Sequence, residues 1–153
     1  MKSHIVVHHS LTKDGMVVNT GAIRDYHKNV HKWNDIGYHY LIELVGDEYE
    51  VFVGRMPDQP GAHCKELGMN TRGYGVCLVG NFDLAPPPDA QMDKLIELLR
   101  YLMRQDHIPV FNVLGHREVG IRAGFDWTKG EYKTCPGIRF DMMHLRDLLN
   151  NGV

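Results

Sequence analysis

The segment GYGVCLVGNF, residues 73–82, is a continuous apolar run between glycines. A strand of that composition reads as the buried centre of a sheet, covered on both faces. The rest of the chain has to supply its neighbours and its cover. IVVHH (5–9) and VFNVLG (110–115) read as further strands. GYHYLIEL (37–44) and EYEVFVGR (48–55) flank the turn signal VGDE and read as a hairpin. APPPDAQMDKLIELLRYLMRQDH (85–107) is the clearest helix. Its prolines mark the entrance, Asp89 can cap, and Met92, Leu95, Ile96, Leu99, Leu102 and Met103 form one apolar face. TGAIRDYHKNVHKW (20–33) carries Ile23, Tyr26, His27 and Val30 at helical spacing behind Thr20, and FDMMHLRDLLNN (140–151) is a short amphipathic helix. Strands alternating with helices, plus one hairpin, predict an α/β fold: a single domain over 1–153 with a central mixed β-sheet flanked by α-helices.

Composition narrows the function classes. The 153 residues suffice for one core, and a net charge of −2 leaves no electrostatic footprint for nucleic acid or an anionic membrane. No apolar run approaches the roughly 18 residues of a membrane span, and the apolar run in MKSHIVVHHS is only three residues, too short for the core of a signal segment. The three cysteines, Cys64, Cys77 and Cys135, form no CxxC pair, a pattern that suits a reducing compartment. The expectation is a soluble monomer, cytoplasmic as synthesised, with no nucleic-acid partner and no membrane insertion.

Three segments end in residues that bind borderline metals: His8 after the first strand, His116 after VFNVLG, and Cys135 in KTCPG. Two imidazoles and a thiolate match a catalytic zinc set, because three protein ligands leave a fourth position for water. HExxH and PCxxC are both absent, which removes the helical zinc-protease and nucleobase-deaminase patterns. Spacing alone does not single out this trio among ten histidines. His8 and His9 are adjacent in a strand, so their side chains point to opposite faces and cannot both serve one site. On the residues alone, Tyr38 is a packed aromatic, Lys133 a solvated charge, and Cys64 and Cys77 small core residues.

In order along the chain, VVHHS, DIGYHYLIE, GAHCK, GVCLVGNFD, AQMDKLIELLRYL, LGHREV and YKTCPG resemble the type-2 N-acetylmuramoyl-L-alanine amidases. That family includes the T-odd phage lysozymes and the peptidoglycan recognition proteins; the similarity to the phage lysozymes runs from about residue 4 to residue 149. The resemblance implies a mixed sheet with flanking helices and a Zn²⁺ cofactor held by His8, His116 and Cys135. It implies hydrolysis of the amide between the lactyl group of N-acetylmuramic acid and L-alanine of peptidoglycan. By the same carry-over Tyr38 and Lys133 are catalytic, while His63 lines the substrate groove and Asn81 faces it from a strand end. Lys129 is nearby, but Lys133 keeps the family's distance to the cysteine. Eighteen residues separate His116 from Cys135, where relatives commonly have fewer than ten. The surplus, GIRAGFDWTKGEY, reads as a long functional loop in which Phe125 or Trp127 walls the groove. The setting implied is an endolysin; a cell-wall recycling amidase and a non-catalytic peptidoglycan-binding module are the alternatives.

Overall fold

The computed structural model describes residues 1–11, 21, 23, 28 and 36–151. Five strands, β1 (His4–His9), β2 (Tyr40–Val45), β3 (Glu48–Val53), β4 (Gly73–Leu78) and β5 (Val113–Gly115), form one sheet in the order β3-β2-β4-β1-β5. The β2–β3 hairpin is antiparallel and the other pairings are parallel. The mixed sheet is therefore as expected, and β4, buried along its whole length, is its centre. The described helices are α1 (Met69–Arg72), α2 (Asp89–Asp106), α3 (His116–Arg122) and α4 (Met142–Asn151). None is long and apolar enough to cross a membrane. Most of the helix expected over 20–33 lies outside the described residues. Gly21, Ile23 and Lys28 are helical, and Ile23 is buried in a cluster with Ile36, Leu41 and Cys77.

The alternation of β1 divides the molecule. Ile5 and Val7 face a core built with Leu95, Leu99 and Leu102 of α2 and Leu145 and Leu149 of α4. Each such side chain contributes roughly 1.5–3 kcal/mol by leaving water. Val6 faces the other way, into a smaller cluster with Cys64, Met69, Leu114 and Val119. His8 shares that second face and His9 the first. Gly75 of β4 pairs with Val6, and a Cβ there would meet the His63 ring at 2.5 Å. The glycine leaves a notch in the central strand into which that imidazole packs.

Three local expectations are corrected. Asp89 does not cap α2: Pro88 occupies the cap and Asp89 is the first helical residue, where its charge still complements the helix dipole. VFNVLG is strand only over Val113–Gly115. Its first half, Val110–Asn112, is a 3₁₀ turn closed by the Asn112 N–H on the Pro109 carbonyl at 2.9 Å. The segment after His116 is not a continuous loop. His116–Arg122 is a helix that buries His116, Arg117, Val119 and Gly120, and Trp127–Lys129 is a further 3₁₀ turn. Gly120 and the shortness of the helix hid it from periodicity.

Helix α3 is anchored by Glu118. Its carboxylate accepts from the Gly115 N–H at 2.8 Å and from both terminal nitrogens of Arg146 in α4, at 2.7 and 2.8 Å. Burial would raise the Glu118 pKa, but the Arg146 fork and the Gly115 N–H outweigh it and hold it below the ordinary value. A depressed carboxyl pKa stabilises the fold above its unfolded pKa, and that contribution disappears as pH falls through the folded one. Glu118→Gln should therefore cost about 1–3 kcal/mol at pH 7 in thermal or urea unfolding. The difference from the parent protein should shrink on acidification to pH 4 and below; a difference independent of pH would contradict this account.

Candidate metal centre and active site

His8 at the end of β1, His116 at the first turn of α3 and Cys135 on the segment before α4 converge, their donor atoms within 4.8 Å of one another. His8 Nδ1 lies 3.6 Å from Cys135 Sγ. Tetrahedral bonds of ~2.0–2.1 Å to nitrogen and ~2.3 Å to sulfur set such donors about 3.6 Å apart. The pair is thus already at ligand spacing, and the donor set suits zinc.

The chain also dictates which nitrogen His8 offers. His63 Nε2 lies 3.0 Å from the Gly73 carbonyl oxygen, which only accepts, so His63 carries its proton on Nε2. His63 Nδ1 is then an acceptor, and His8 Nε2, 3.0 Å away, must donate to it. His8 Nδ1 is left with its lone pair directed toward Cys135. This is the outer hydrogen bond by which a protein orients a metal-binding imidazole and sets its tautomer. His63, expected to line the groove, borders it and also supports His8. His39 stands behind His63 with both nitrogens engaged: Nδ1 accepts from the Gly75 N–H at 3.0 Å and Nε2 donates to the Gln59 carbonyl at 2.7 Å.

Burial keeps these rings neutral. Desolvation, reinforced by His116, holds His8 well below the usual histidine range. Desolvation with the nearby Lys133 charge takes His116 down to about 4, and desolvation with His39 takes His63 to about 3. Burial pushes the Cys135 thiol up to about 12, although the His9 N–H, 3.4 Å from the sulfur, favours the thiolate. Without a cation the centre holds neutral imidazoles and a thiol.

The segment 134–140 is fastened to α3 by Arg117, a residue the motif reading passed over. Its guanidinium donates to the carbonyls of Thr134 (3.2 Å), Gly137 and Phe140 (2.6 Å), and its N–H donates to the Cys135 carbonyl at 2.8 Å. The signal was in the sequence: an arginine adjacent to a candidate ligand.

Tyr38 packs its ring 5.1 Å from that of His8. Burial, and then the adjacent Cys77, raise its phenol well above the ordinary value, so it keeps its proton. A cleft of about 470 Å³ opens beside the cluster, bordered by His63, Asn70, His116, Tyr132 and Lys133. Lys129 instead lies 3.9 Å from Asp126 on the surface. Trp127 and Asn81 are not among the residues bordering the cleft. The Trp127 ring carries the Arg117 guanidinium at 4.8 Å, and Asn81 Oδ1 accepts from the Asp83 N–H at 3.1 Å. Phe125 stacks on Tyr132 at 5.4 Å, and Tyr132 meets His116 edge-on at 5.4 Å. Tyr132 was not among the expected residues; Gly120 makes room for it, since a Cβ there would lie 2.3 Å from its ring. His9, on the far face, accepts the Phe82 N–H at 3.1 Å through Nδ1.

Comparison with known proteins places the chain in a family. Residues 2–138 match the family described as N-acetylmuramoyl-L-alanine amidase. The endolysin of Klebsiella phage KP32 is 38% identical over 143 residues, covering 86% of this chain and 89% of the relative. The solved N-acetylmuramoyl-L-alanine amidase LysC of Clostridium intestinale superposes with a TM-score of 0.79 at 29% identity, over 97% of this chain and 85% of that one. Drosophila PGRP-LB, solved in complex with tracheal cytotoxin, shares the fold at a TM-score of 0.72 and 24% identity, over 99% and 82% of the two chains. The chain belongs to the N-acetylmuramoyl-L-alanine amidase family.

Proposed function

We propose that this amidase is zinc-dependent and cleaves the lactyl–L-alanine amide of peptidoglycan as an endolysin. The observation that carries the reading is the convergence of His8 Nδ1, His116 and Cys135 at ligand spacing, with the His8 tautomer set by His63. Zinc, when bound, supplies Lewis acidity that activates water and polarises the amide carbonyl. The chain's own residues do the rest. His8 and His116 offer neutral lone pairs near neutral pH, because burial holds both imidazoles below the usual histidine range. Lys133, at the mouth of the cleft, donates to the lactyl carbonyl oxygen as negative charge develops there. Tyr38 Oη, still protonated, orients the attacking water against His8. Tyr132 and Phe125 provide an aromatic bank for the muropeptide, with His63 at its inner end. We assign Trp127 to a more distal stretch of the groove, and Asn81 to the opposite side. Its loop is tied to the Cys135 segment through Thr134 Oγ1 on Asp83 and the Arg139 N–H on the Phe82 carbonyl. A purely binding module has no use for a ligand trio accompanied by Tyr38 and Lys133, which favours catalysis.

Digestion of purified peptidoglycan should release free amino groups without new reducing sugars, and chelation should abolish the release until zinc is restored. Cys135→Ser should lower zinc retained after dialysis at least about tenfold, in line with losing one of three ligands; full retention with full activity would overturn the site. Lys133→Ala should retain zinc and lose on the order of 10²–10³ in kcat, the usual consequence of removing a transition-state donor. Because the thiol sits near 12 and the imidazoles are already neutral, zinc uptake at pH 6 should release about one proton, from Cys135. Calorimetry in buffers of different ionisation enthalpy measures this number directly. A value near zero would mean a preformed thiolate, and a value of two or more would mean charged imidazoles.

A further inference from the structure

His116 belongs to two ligand sets. Besides the trio with His8 and Cys135, its ring lies with Cys64 and Glu66 in a second group whose donor atoms are also within 4.8 Å of one another. Cys64 is buried, at 3% exposure, and its Sγ is 3.9 Å from Glu66 Oε2. The backbone that carries the pair is pinned: Asn70 Oδ1 accepts from the N–H groups of both His63 (2.7 Å) and Cys64 (2.8 Å). Leu67, with φ 56°, holds the left-handed turn that follows Glu66. The Tyr132 hydroxyl is buried beside both groups. Cys64 also packs with Val6, Met69, Leu114 and Val119, but the reaction described above uses neither its thiol nor the Glu66 carboxylate.

We propose that Cys64, Glu66 and His116 form a second, weaker site for a borderline divalent cation such as Zn²⁺, and that filling it withdraws His116 from the first site. The donor types are right: thiolate, imidazole and carboxylate all ligate zinc, and three of them leave room for water. A neutral imidazole has one lone pair. A cation on the second set therefore takes that lone pair from the first, since holding both ions would require the ring to lose its remaining proton. This competition makes the second ion bind less tightly than the first. The site thus acts as a metal-excess brake. The inference rests on the zinc reading only in taking His116 as a ligand of the first ion.

The test is metal titration of the purified, metal-free protein, by equilibrium dialysis with Zn²⁺ and by absorption with Co²⁺. The wild-type chain should bind two equivalents in resolved steps, the second at least about tenfold weaker, with sulfur-to-cobalt absorption about doubling as Cys64 joins Cys135. Cys64→Ser and Glu66→Gln should each stop at one equivalent. Hydrolysis of peptidoglycan by the wild type should fall several-fold across the second step, whereas Cys64→Ser should be as active in excess zinc as at one equivalent. Saturation of the wild type at one equivalent, or a second equivalent that survives in both variants, would overturn the brake and leave the first site standing. Failure to bind any ion would overturn both.

Discussion

Arg117 donates its guanidinium to the carbonyl oxygens of residues 134, 137 and 140, and its backbone N–H to that of Cys135. It is 9% exposed, and Trp127 covers its outer side. The guanidinium is solvated by these carbonyls, with Glu118, Asp83 and Asp141 as nearby counter-charges, and satisfying it requires the chain on both sides of Cys135 to wrap around α3. His116 is the residue before Arg117, so the same wrapping brings the sulfur to the imidazole. Glu118, the residue after, fixes α3 to α4. Three consecutive residues thus supply a candidate ligand, a clamp for another candidate ligand's segment and a helix anchor.

The buried imidazoles impose a second constraint. His8 contacts both His63 and His116, and His63 contacts His39, at centroid separations of 4.7–5.6 Å. Positive charge on all four rings cannot be accommodated together out of water, so desolvation keeps them neutral, and hydrogen bonds running back to fixed carbonyls decide the tautomers of His39, His63 and His8. The Gly73 carbonyl orients His63, which orients His8. The geometry of the centre is in this respect a property of β4, whose strand supplies that carbonyl and, at Gly75, the space beside it.

Much of this was legible in the sequence, for identifiable reasons. The apolar run around Cys77 named the central strand because burial on both faces leaves no alternation to misread. The His8–His9 doublet separated correctly because strand side chains alternate. His63 was found through its motif, but its hydrogen bond to His8 was not, since residues 55 apart in sequence meet only through the sheet. The helix at 116–122 escaped because its buried face includes a glycine, an arginine and a histidine in place of an apolar stripe. Tyr132 escaped because what locates it is the missing side chain at Gly120. Cys64 read as an ordinary core residue, and it does pack in a core cluster, with the Glu66 carboxylate two residues on lying 3.9 Å from its sulfur.

The three convergent donors stand at positions 8, 116 and 135, on β1, at the start of α3 and beyond it. No early hairpin or isolated helix can gather them. β1 finds its place only when β4 and β5 flank it, and the Cys135 segment settles only after α3 has formed. A chain that has not yet extended past Cys135 lacks one of the three donors, however well its sheet is paired. If the centre holds zinc as proposed, its occupancy would report completion of the whole architecture. An ion offered early would meet an incomplete donor set, and one bound last would join residues 127 apart in sequence.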